Sequence, residues 1–485
     1  MLPSRLRHYY EQMLRRSIVL LACIALAAVF AHAVLQTTPH AQTGQSSISL
    51  IVSGGTVVTM DEERRVLAPG AVAIDDGAIV LVDTPARVDA RFRAATRIDA
   101  SNHIVLPGLI NTHTHAPMVL FRGLADDLVL MDWLQKYIFP AEAKAVSPEF
   151  VRVGTELAAL EMIQSGTTTF ADMYYFEEEI AAAVKRAGLR GVLGQTIIGF
   201  PAPDAPTPKA GLERTERFVE EWKQDSIVTP AVAPHALYTN DGKTLTAARD
   251  LAREHQVPLL IHMAEAESEV ESAREKYQTS PVGYLASIGF LGPNVLAAHC
   301  IWLTDEDIRT AAAADIGCSH NPESNMKLAA GTAPVPTMLR EGLLVGLGTD
   351  GAASNNDLDM FEAMRLAAFL HKSTTRDPSA VPAGVALEMA TIGGARALHM
   401  ADRIGSLEVG KRADLIAVST ASARATPLYD PISHLVYVAK GTDVRTTIVD
   451  GQILMRDGKV ATLDESQVIA AAQRIAEKVR AITKP

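Results

Sequence analysis

The feature that most constrains the fold is an alternation of short apolar runs with helix-like stretches through the middle of the chain. Eight runs rich in Val, Ile, Leu and Ala occur there: HIVLPGLINTHTH, GTTTFADMYY, RGVLGQTII, IVTPAVAPHALYT, VPLLIHMAE, NVLAAHCIWL, DIGCSHNPE and LLVGLGTDGAASNN. Stretches between them, such as EFVRVGTELAALEMIQSG, show helical spacing and close with Gly. Eight strand–helix units in succession predict an α/β fold of the (β/α)8 TIM-barrel type. A doubly wound open sheet is the alternative.

Polar residues follow these runs and never precede them. They are His113 and His115 after the first run, His235 after the fourth, His262 and Glu265 after the fifth, His299 after the sixth and Asp350 after the eighth. A closed barrel collects the carboxyl ends of all its strands at one mouth, where the active site lies. An open sheet would hold the first and eighth strands apart, so this distribution favours the barrel.

Two β-rich segments flank the barrel. The upstream segment contains LIVSGGTVVTM and VAIDDGAIVLVD, with a hairpin signal at Asp76–Gly77. The downstream segment contains ADLIAVS and RTTIVDGQILMRDGKVAT, with hairpin signals at Asp450–Gly451 and Asp457–Gly458. Neither segment has enough strands to bury a core alone, so the two are expected to form one small β-sandwich domain. The predicted division is 1–47 leader and linker, 48–105 first part of the β-domain, 106–400 barrel, 401–463 second part of the β-domain and 464–485 C-terminal helix.

The N-terminal segment resembles a secretory signal peptide. Four arginines (Arg5, Arg7, Arg15 and Arg16) precede the apolar run SIVLLACIALAAVFAHAVL, and AHA at 31–33 is a small-residue cleavage site. An uncleaved membrane anchor is the alternative, because the run is nearly long enough to span a bilayer. The protein is therefore expected to be exported, and membrane-anchored if the segment is not removed.

Charge and cysteine content exclude some partners. The net charge is −11 and the chain has no basic stripe, so no nucleic acid partner is expected. One of the three cysteines, Cys23, lies in the N-terminal apolar run, so the cysteines do not indicate a disulfide framework. The expected partner is a small-molecule substrate, and the oligomeric state is left open.

The histidine pair of the first run is suited to hold a metal ion. Side chains at i and i+2 of a strand point to the same side, so His113 and His115 can share one ion at about 2.0–2.1 Å. His262 and Asp350 arrive from other strands and complete a set of three histidines and one aspartate. Such a set leaves room for a water, whose pKa the metal lowers to about 7.

In this order along the chain, the motifs PGLINTHTH, IHMAE, AHC, SHNP and GTDGAASNN resemble those of the metal-dependent amidohydrolase superfamily. The resemblance covers about residues 48 to 460 and is nearest to the methylthioadenosine/S-adenosylhomocysteine deaminases. RGLADDLVLMDWLQKYIFPAEA, residues 122–143, is similar to the loop that follows the first strand in that branch. Triazine hydrolases and guanine deaminases share much of the motif set.

The resemblance implies roles by position. His113, His115, His262 and Asp350 would be metal ligands, Glu265 a proton shuttle, His299 the residue that orients the hydroxide, and Glu142, His235, Glu265 and Ser354 substrate-binding residues. His320, in SHNPESN, is expected to stabilise a loop and not to contact the substrate.

Two departures from the branch are visible. The region after RGVLGQTIIGFPAPDAPTP lacks arginines that the best-studied deaminases of the branch carry. The fourth barrel strand also lacks a lysine, with Lys223 and Lys243 on either side of it. Superfamily members with two metals usually carry a carboxylated lysine there, so one divalent ion, zinc, is expected.

The resemblance implies a hydrolase of carbon–nitrogen bonds other than peptide bonds. The first hypothesis is deamination of an adenine-type nucleoside by a metal-bound hydroxide that attacks the carbon bearing the amino group. Glu265 would protonate the adjacent ring nitrogen, and Asp350 would take the proton of the water. The alternatives are hydrolysis of a triazine, guanine or cyclic amide, and a non-catalytic metal-binding barrel, against which the presence of Glu265 and His299 counts.

Overall fold

The computed structural model describes residues 12–18, residue 21 and residues 45–483. The chain forms two units, Met1–Ser46 and Ser47–Pro485. In the first unit, residues 12–18 are helical. Most of the predicted signal peptide, with its cleavage site, lies outside the described residues. In the described part of the chain, no helix combines the length and apolar character needed to cross a bilayer.

Nineteen strands lie in the described part of the second unit. In chain order, β1 to β19 span Ser46–Ser53, Thr56–Val58, Val66–Leu67, Ala71–Asp75, Ala78–Asp83, Phe92–Asp99, His103–Pro107, Leu109–Thr114, Thr167–Tyr174, Arg190–Ile197, Val228–Pro234, Leu259–Met263, Val295–His299, Gly317–His320, Leu344–Leu347, Leu415–Ser419, Val444–Val449, Gln452–Arg456 and Lys459–Val460.

The α-helices alternate with the barrel strands and also flank them. They span Pro85–Arg91, Leu130–Asp132, Phe139–Ala145, Pro148–Ser165, Glu177–Ala187, Pro208–Trp222, Gly242–His255, Glu267–Tyr277, Pro281–Ser287, Asp305–Ala313, Pro322–Lys327, Val335–Arg340, Met360–Thr375, Ala383–Met389, Ile392–Ala397, Pro431–Tyr437 and Glu465–Thr483. A π-helix covers Trp133–Ile138, and short 3-10 helices cover Ala116–Phe121, Ala423–Ala425 and Gly441–Asp443.

The eight strands β8 to β15 form the predicted (β/α)8 barrel. They follow one another in sheet order, and each pairs in parallel with the next. The first and eighth strands meet through Thr112, whose hydroxyl donates to the Leu347 carbonyl at 2.9 Å. The predicted barrel is therefore confirmed, and the carboxyl ends of its strands share one mouth.

Local sequence signals set the ends of the barrel helices. Ser147 caps the helix Pro148–Ser165 by accepting a hydrogen bond from the backbone N–H of Phe150. That helix ends at Gly166, which has φ +89°, a left-handed conformation that costs glycine little. The Gly that closes the helical pattern in the sequence is thus the C-cap that the fold requires.

The small β-domain is also confirmed. It contains strands from the segments before and after the barrel in the chain. One sheet has the order β5-β4-β1-β6, and a second has the order β19-β18-β17-β16-β7-β2-β3. Within the second sheet, β7 pairs antiparallel with β16, so an N-terminal strand and a C-terminal strand are neighbours. Asp76–Gly77, Asp450–Gly451 and Asp457–Gly458 all have positive φ, as the predicted two-residue hairpins require.

The run HIVLPGLINTHTH is two strands and not one. β7 belongs to the small domain, while β8 begins the barrel, and Gly108 lies between them. A side chain at Gly108 would come within 2.2 Å of the Thr168 side chain on the neighbouring segment. Glycine is therefore required where the chain passes from the small domain into the barrel.

A buried ion pair connects the barrel to the small domain. Arg190, at the start of β10, donates to Asp414 through Nε at 2.8 Å and through Nη2 at 3.2 Å. Both side chains are almost completely buried. The Asp414 carboxylate also accepts from the backbone N–H of Asp450 at 2.7 Å, which satisfies it further. This polar contact fixes the β-domain against the amino ends of the barrel strands, away from the mouth.

Candidate active site

The predicted histidine pair lies at the end of the first barrel strand. β8 ends at Thr114, so His113 is in the strand and His115 directly follows it. Their Nε2 atoms lie 3.4 Å and 3.3 Å from the same oxygen, Oδ1 of Asp350. The Nε2 atom of His113 is buried and has no hydrogen-bond partner among the described residues. The strand end therefore gathers both imidazoles around one point.

His262 completes the histidine cluster from the fifth strand. Its Nε2 atom is 3.4 Å from Nε2 of His115. Its Nδ1 atom is 2.7 Å from the carbonyl oxygen of His235, and Nδ1 of His115 is 2.6 Å from that of Met173. A carbonyl oxygen only accepts, so both Nδ1 atoms carry the proton and both Nε2 lone pairs face the cluster.

Asp350 follows the eighth strand and is held from several sides. Its backbone is left-handed, with φ +61°, and the carboxylate is buried. Oδ1 faces the histidines and accepts from the backbone N–H of Gly351 at 2.7 Å. Oδ2 accepts from the hydroxyls of Ser324 at 2.7 Å and Ser354 at 2.9 Å. The two oxygens therefore have different surroundings, and Oδ1 is the one presented to the cluster.

These four side chains fit a divalent metal ion. Ligand atoms of His113, His115 and His262 lie within 4.8 Å of one another, and so do those of His113, His299 and Asp350. Burial lowers the pKa of His113 to about 4, which keeps its imidazole neutral, as a ligand must be. The unpartnered Nε2 atom of His113 is the buried polar atom that an ion would satisfy.

The fourth barrel strand offers no bridging ligand. β11 reads VTPAVAP and contains no lysine. The segment that the sequence predicted to be a fourth strand without lysine is therefore the fourth strand of the barrel.

Glu265 reaches the cluster because the backbone turns just before it. β12 ends at Met263, and Ala264 has φ +51°. The Glu265 carboxyl group lies 3.6 Å from Nε2 of His299 and accepts from the Tyr238 hydroxyl at 3.1 Å. Burial raises the pKa of Glu265, and His299 opposes that effect. A carboxyl group whose pKa is raised in this way is suited to carry a proton.

His299 is the last residue of β13 and is almost fully buried. Its Nδ1 atom is 2.8 Å from the side-chain oxygen of Asn325, which leaves Nε2 directed toward Glu265 and Asp350. Burial works to lower the pKa of His299, but the carboxylates of Glu265 and Asp350 raise it overall. The predicted neighbour relationship among Glu265, His299 and Asp350 is present.

A cavity opens over the cluster. Its lining includes His115, His262, Glu265 and Asp350 from the strand ends. The other lining residues are Met118, Leu130, Trp133, Leu134, Ile138, Phe139, Glu142, Met173, Tyr174, Tyr175, Thr196, His235 and Tyr238. The candidate metal ligands and Glu265 therefore lie on one side of a cavity that is otherwise largely apolar and aromatic.

Three of the four predicted substrate-binding residues, Glu142, His235 and Glu265, line this cavity. Glu142 is buried in the helix Phe139–Ala145, and burial raises its pKa to about 7, with Tyr174 opposing. Burial also lowers the pKa of His235 to about 3, and Nδ1 of its ring is 3.0 Å from the Thr239 hydroxyl. A neutral imidazole and a half-ionised carboxyl group can both exchange hydrogen bonds with hydroxyls.

Ser354 is placed differently from Glu142 and His235. It is 1% exposed, is not among the lining residues of the cavity, and donates to Asp350. The structure therefore gives it a place behind the aspartate. His320 is also away from the cavity: its Nε2 atom is 3.2 Å from Nε2 of His371, in a buried histidine pair.

Sequence reasoning missed several residues around the site. Tyr238 bonds Glu265, Ser324 bonds Asp350, Asn325 bonds His299, and Trp133 forms part of the cavity wall. Ser324 and Asn325 come two and three residues after the SHNP motif, which is a signal that could have drawn attention to them. Tyr238 and Trp133 lie in segments whose path over the barrel mouth cannot be predicted from the sequence pattern.

The fold and the site together define a barrel hydrolase with candidate metal ligands gathered at the strand ends. Residues 104–454 match the amidohydrolase family, and the chain belongs to that family. This confirms the resemblance inferred from the motifs.

Three named proteins are similar to the chain over most of its length. A 5-methylthioadenosine/S-adenosylhomocysteine deaminase from Syntrophobacter fumaroxidans is 48% identical, over 90% of this chain and 100% of the relative. A 5'-deoxyadenosine deaminase from Methanosarcina mazei is 47% identical, over 89% of this chain and 98% of the relative. A crystal structure of an adenosine deaminase from Xanthomonas campestris with bound zinc is 37% identical, with a TM-score of 0.89, over 90% of this chain and 100% of that one. The family and the zinc-bound structure support a divalent metal here.

Proposed function

We propose that the protein is a metal-dependent aminohydrolase that deaminates an adenine-type nucleoside similar to 5'-methylthioadenosine or S-adenosylhomocysteine. The observation that carries the proposal is the convergence of Glu265, His299 and Asp350 beside three histidines at one wall of the cavity. A binding protein needs the ligands alone, whereas this cluster also includes a protonatable carboxyl group. The similarity to named nucleoside deaminases at 47–48% identity supports the substrate class.

His113, His115, His262 and Asp350 would hold one divalent ion, and zinc suits this set of nitrogen and oxygen donors. When bound, the ion supplies the Lewis acidity that makes water nucleophilic at neutral pH. The three carbonyl and hydroxyl partners of the ligands then hold the imidazoles and the carboxylate in one orientation.

The acid–base work belongs to the side chains around the cluster. The oxygen of water forms a bond to the ring carbon that bears the amino group, and Asp350 accepts the proton of that water. Glu265 donates its proton to the adjacent ring nitrogen, which removes the double bond to that carbon. Asp350 then gives the proton that it took from the water to the amino nitrogen, and the bond between the ring carbon and that nitrogen breaks as ammonia leaves. The proton of the new hydroxyl group passes to Glu265 as the ring carbonyl forms, so both carboxyl groups return to their starting states. His299, 3.6 Å from Glu265 and 3.9 Å from Asp350, orients the attacking oxygen between them.

Glu142 and His235 would hold the rest of the nucleoside. Glu142 lies on the helix Phe139–Ala145 and lines the cavity, where a carboxyl group can accept hydrogen bonds from two ribose hydroxyls. His235 packs against His262, with 4.6 Å between ring centroids, so it contacts the part of the substrate next to the ligand cluster.

Ammonia release from a panel of substrates tests the proposal. The purified protein is incubated with 5'-methylthioadenosine, 5'-deoxyadenosine, guanine and a triazine, before and after chelation and after zinc is returned. We expect deamination of the adenine nucleosides that is lost on chelation and restored by zinc. Turnover of guanine or the triazine alone would establish the alternative substrates, and no turnover of any of them would favour the non-catalytic barrel.

A further inference from the structure

The charges on the cavity wall are all carried by acids. Three lining residues bear carboxyl groups, Glu142, Glu265 and Asp350, and no lysine or arginine lines the cavity among the described residues. The lining histidines His115 and His262 direct their Nε2 atoms at the ligand cluster, because the Nδ1 atom of each is bonded to a backbone carbonyl oxygen. The chamber therefore has no side-chain cation with which to receive an anion.

Basic residues near this wall are engaged elsewhere. Arg122 pairs with Glu161, and Lys136 pairs with Asp132 at 2.8 Å on the same helical segment. Neither is part of the cavity lining. The positive charge of a bound ion would lie at the strand ends, on the side where the base reacts. It would not meet a charged group at the other end of the nucleoside.

The wall away from the strand ends is apolar and aromatic. It comes mainly from the segment Leu130–Phe139, which contributes Leu130, Trp133, Leu134, Ile138 and Phe139. With the base at the ligand cluster and the ribose at Glu142, the 5' substituent extends along this wall. Apolar surface of this kind favours an alkyl or thioether group, because burying such a group removes apolar surface from water.

The free polar group on this wall is uncharged. The indole N–H of Trp133 is buried and has no hydrogen-bond partner among the described residues. An indole N–H is a donor only and carries no net charge. It can satisfy one oxygen or sulfur acceptor of a substrate, but it cannot compensate a buried carboxylate.

We infer that this cavity selects adenine nucleosides with a small, uncharged 5' substituent and discriminates against the same nucleoside carrying an amino-acid tail. The inference rests on the proposed function and deepens it. The carboxylate of such a tail would lie against the apolar wall beside Glu142, and no lysine or arginine lines the cavity among the described residues. Leaving a charged group unpaired on burial is strongly unfavourable. We expect kcat/KM for S-adenosylhomocysteine to be about 10²-fold or more below that for 5'-methylthioadenosine.

A matched pair of substrates separates charge from size. The first is S-adenosylhomocysteine, and the second is its carboxamide, in which a neutral amide replaces the carboxylate at nearly the same volume. We expect kcat/KM for the carboxamide to be at least about tenfold higher than kcat/KM for S-adenosylhomocysteine. The measurement uses the zinc-loaded full-length enzyme, with 5'-methylthioadenosine as the reference substrate in every assay.

The outcomes distinguish a failure of this inference from a failure of the proposed function. Equal kcat/KM for S-adenosylhomocysteine and 5'-methylthioadenosine would overturn the inference and leave the proposed function intact. An acid and an amide that are equally poor would also overturn it, because the exclusion would then depend on length and not on charge. If none of the adenine nucleosides is deaminated by the zinc-loaded enzyme, the proposed function itself fails.

Discussion

The hydroxyl of Ser324 donates a hydrogen bond of 2.7 Å to Oδ2 of Asp350, while Oδ1 of the same carboxylate faces the histidines. Ser324 lies in the helix Pro322–Lys327, directly after the seventh strand, and Asp350 follows the eighth. The helix that follows the seventh strand thus fixes which oxygen the aspartate presents. Ser354 adds a second donor to Oδ2 at 2.9 Å.

Replacing Ser324 should loosen the metal site. In Ser324→Ala the carboxylate loses one of its two hydroxyl donors, so we expect zinc affinity to fall by about 10- to 100-fold. Competition with a chromogenic chelator measures the affinity independently of activity. Ser324→Thr keeps the hydroxyl and is the matched control, for which we expect affinity near that of the wild type. Unchanged affinity in Ser324→Ala would show that this hydrogen bond does not position Asp350.

Glu265 should matter for turnover and little for the ion. Glu265→Gln keeps the size and the hydrogen bond from Tyr238 but cannot carry a proton. We expect normal zinc content and a kcat lower by about 10²–10⁴-fold. The comparison variant is His262→Ala, which removes a ligand and should lose the ion. Full activity of Glu265→Gln on a substrate that the wild type deaminates would rule out the proton shuttle.

One equivalent of zinc per chain is expected. The reason is a single set of three histidines and one aspartate, together with a fourth barrel strand that contains no lysine. Elemental analysis of protein purified without chelators gives the number directly. Two equivalents held at the cluster would contradict the proposal of a single ion.

Neutralising Glu323 should flatten the dependence of stability on pH. Burial, reinforced by Asp357, raises the pKa of Glu323 from 4.5 to about 9. The folded chain then holds a proton that the unfolded chain releases above about pH 4.5. The contribution of this group to stability is therefore present below that pH and is lost as pH rises to about 9, at no more than about 1.4 kcal/mol per pH unit.

Glu323→Gln keeps an oxygen for the hydrogen bond from Asn355 but cannot ionise. We expect denaturation midpoints that match the wild type near pH 5 and exceed it near pH 9. The exposed Glu220 supplies the control: Glu220→Gln should follow the wild type at both pH values. A parallel fall in stability for wild type and Glu323→Gln would mean that Glu323 is ionised in the folded protein across this range.

We propose that the protein is exported and that residues 1 to about 33 are absent from its mature form. The basis is the basic start, the apolar run and the AHA sequence at 31–33. N-terminal sequencing of protein from the membrane and the soluble exported fractions of its host checks this. An intact Met1 in the membrane fraction would instead establish a membrane anchor.

The sequence was sufficient to predict the ligand cluster because the barrel imposes a simple rule. His262 on β12 and His113 on β8 are far apart in the chain, yet strand ends that share one mouth must meet. The position of Glu265 could be reasoned in the same way. An extended backbone would have turned it from His262, so a turn near Met263 was required, and Ala264 supplies it with φ +51°.

The cavity wall could not be predicted in this way. Trp133 and Tyr238 lie in segments after strands, where side-chain direction depends on how each loop folds over the mouth. Ser324 lies in the helix after the seventh strand, and its hydrogen bond to Asp350 depends on how the ends of the seventh and eighth strands are placed relative to each other. The division of the first apolar run at Gly108 was also missed, because both halves have the same composition and only their pairing partners differ.

The pairing of β7 with β16 has a consequence for the chain as it leaves the ribosome. β7 emerges before the barrel is made, whereas β16 emerges after it. At about 5–20 residues per second, one edge of β7 waits on the order of tens of seconds for its partner. An unpaired strand edge is a template for association with other chains. Premature termination before Leu415 would make that exposure permanent, so such fragments should aggregate even though all eight barrel strands have been synthesised.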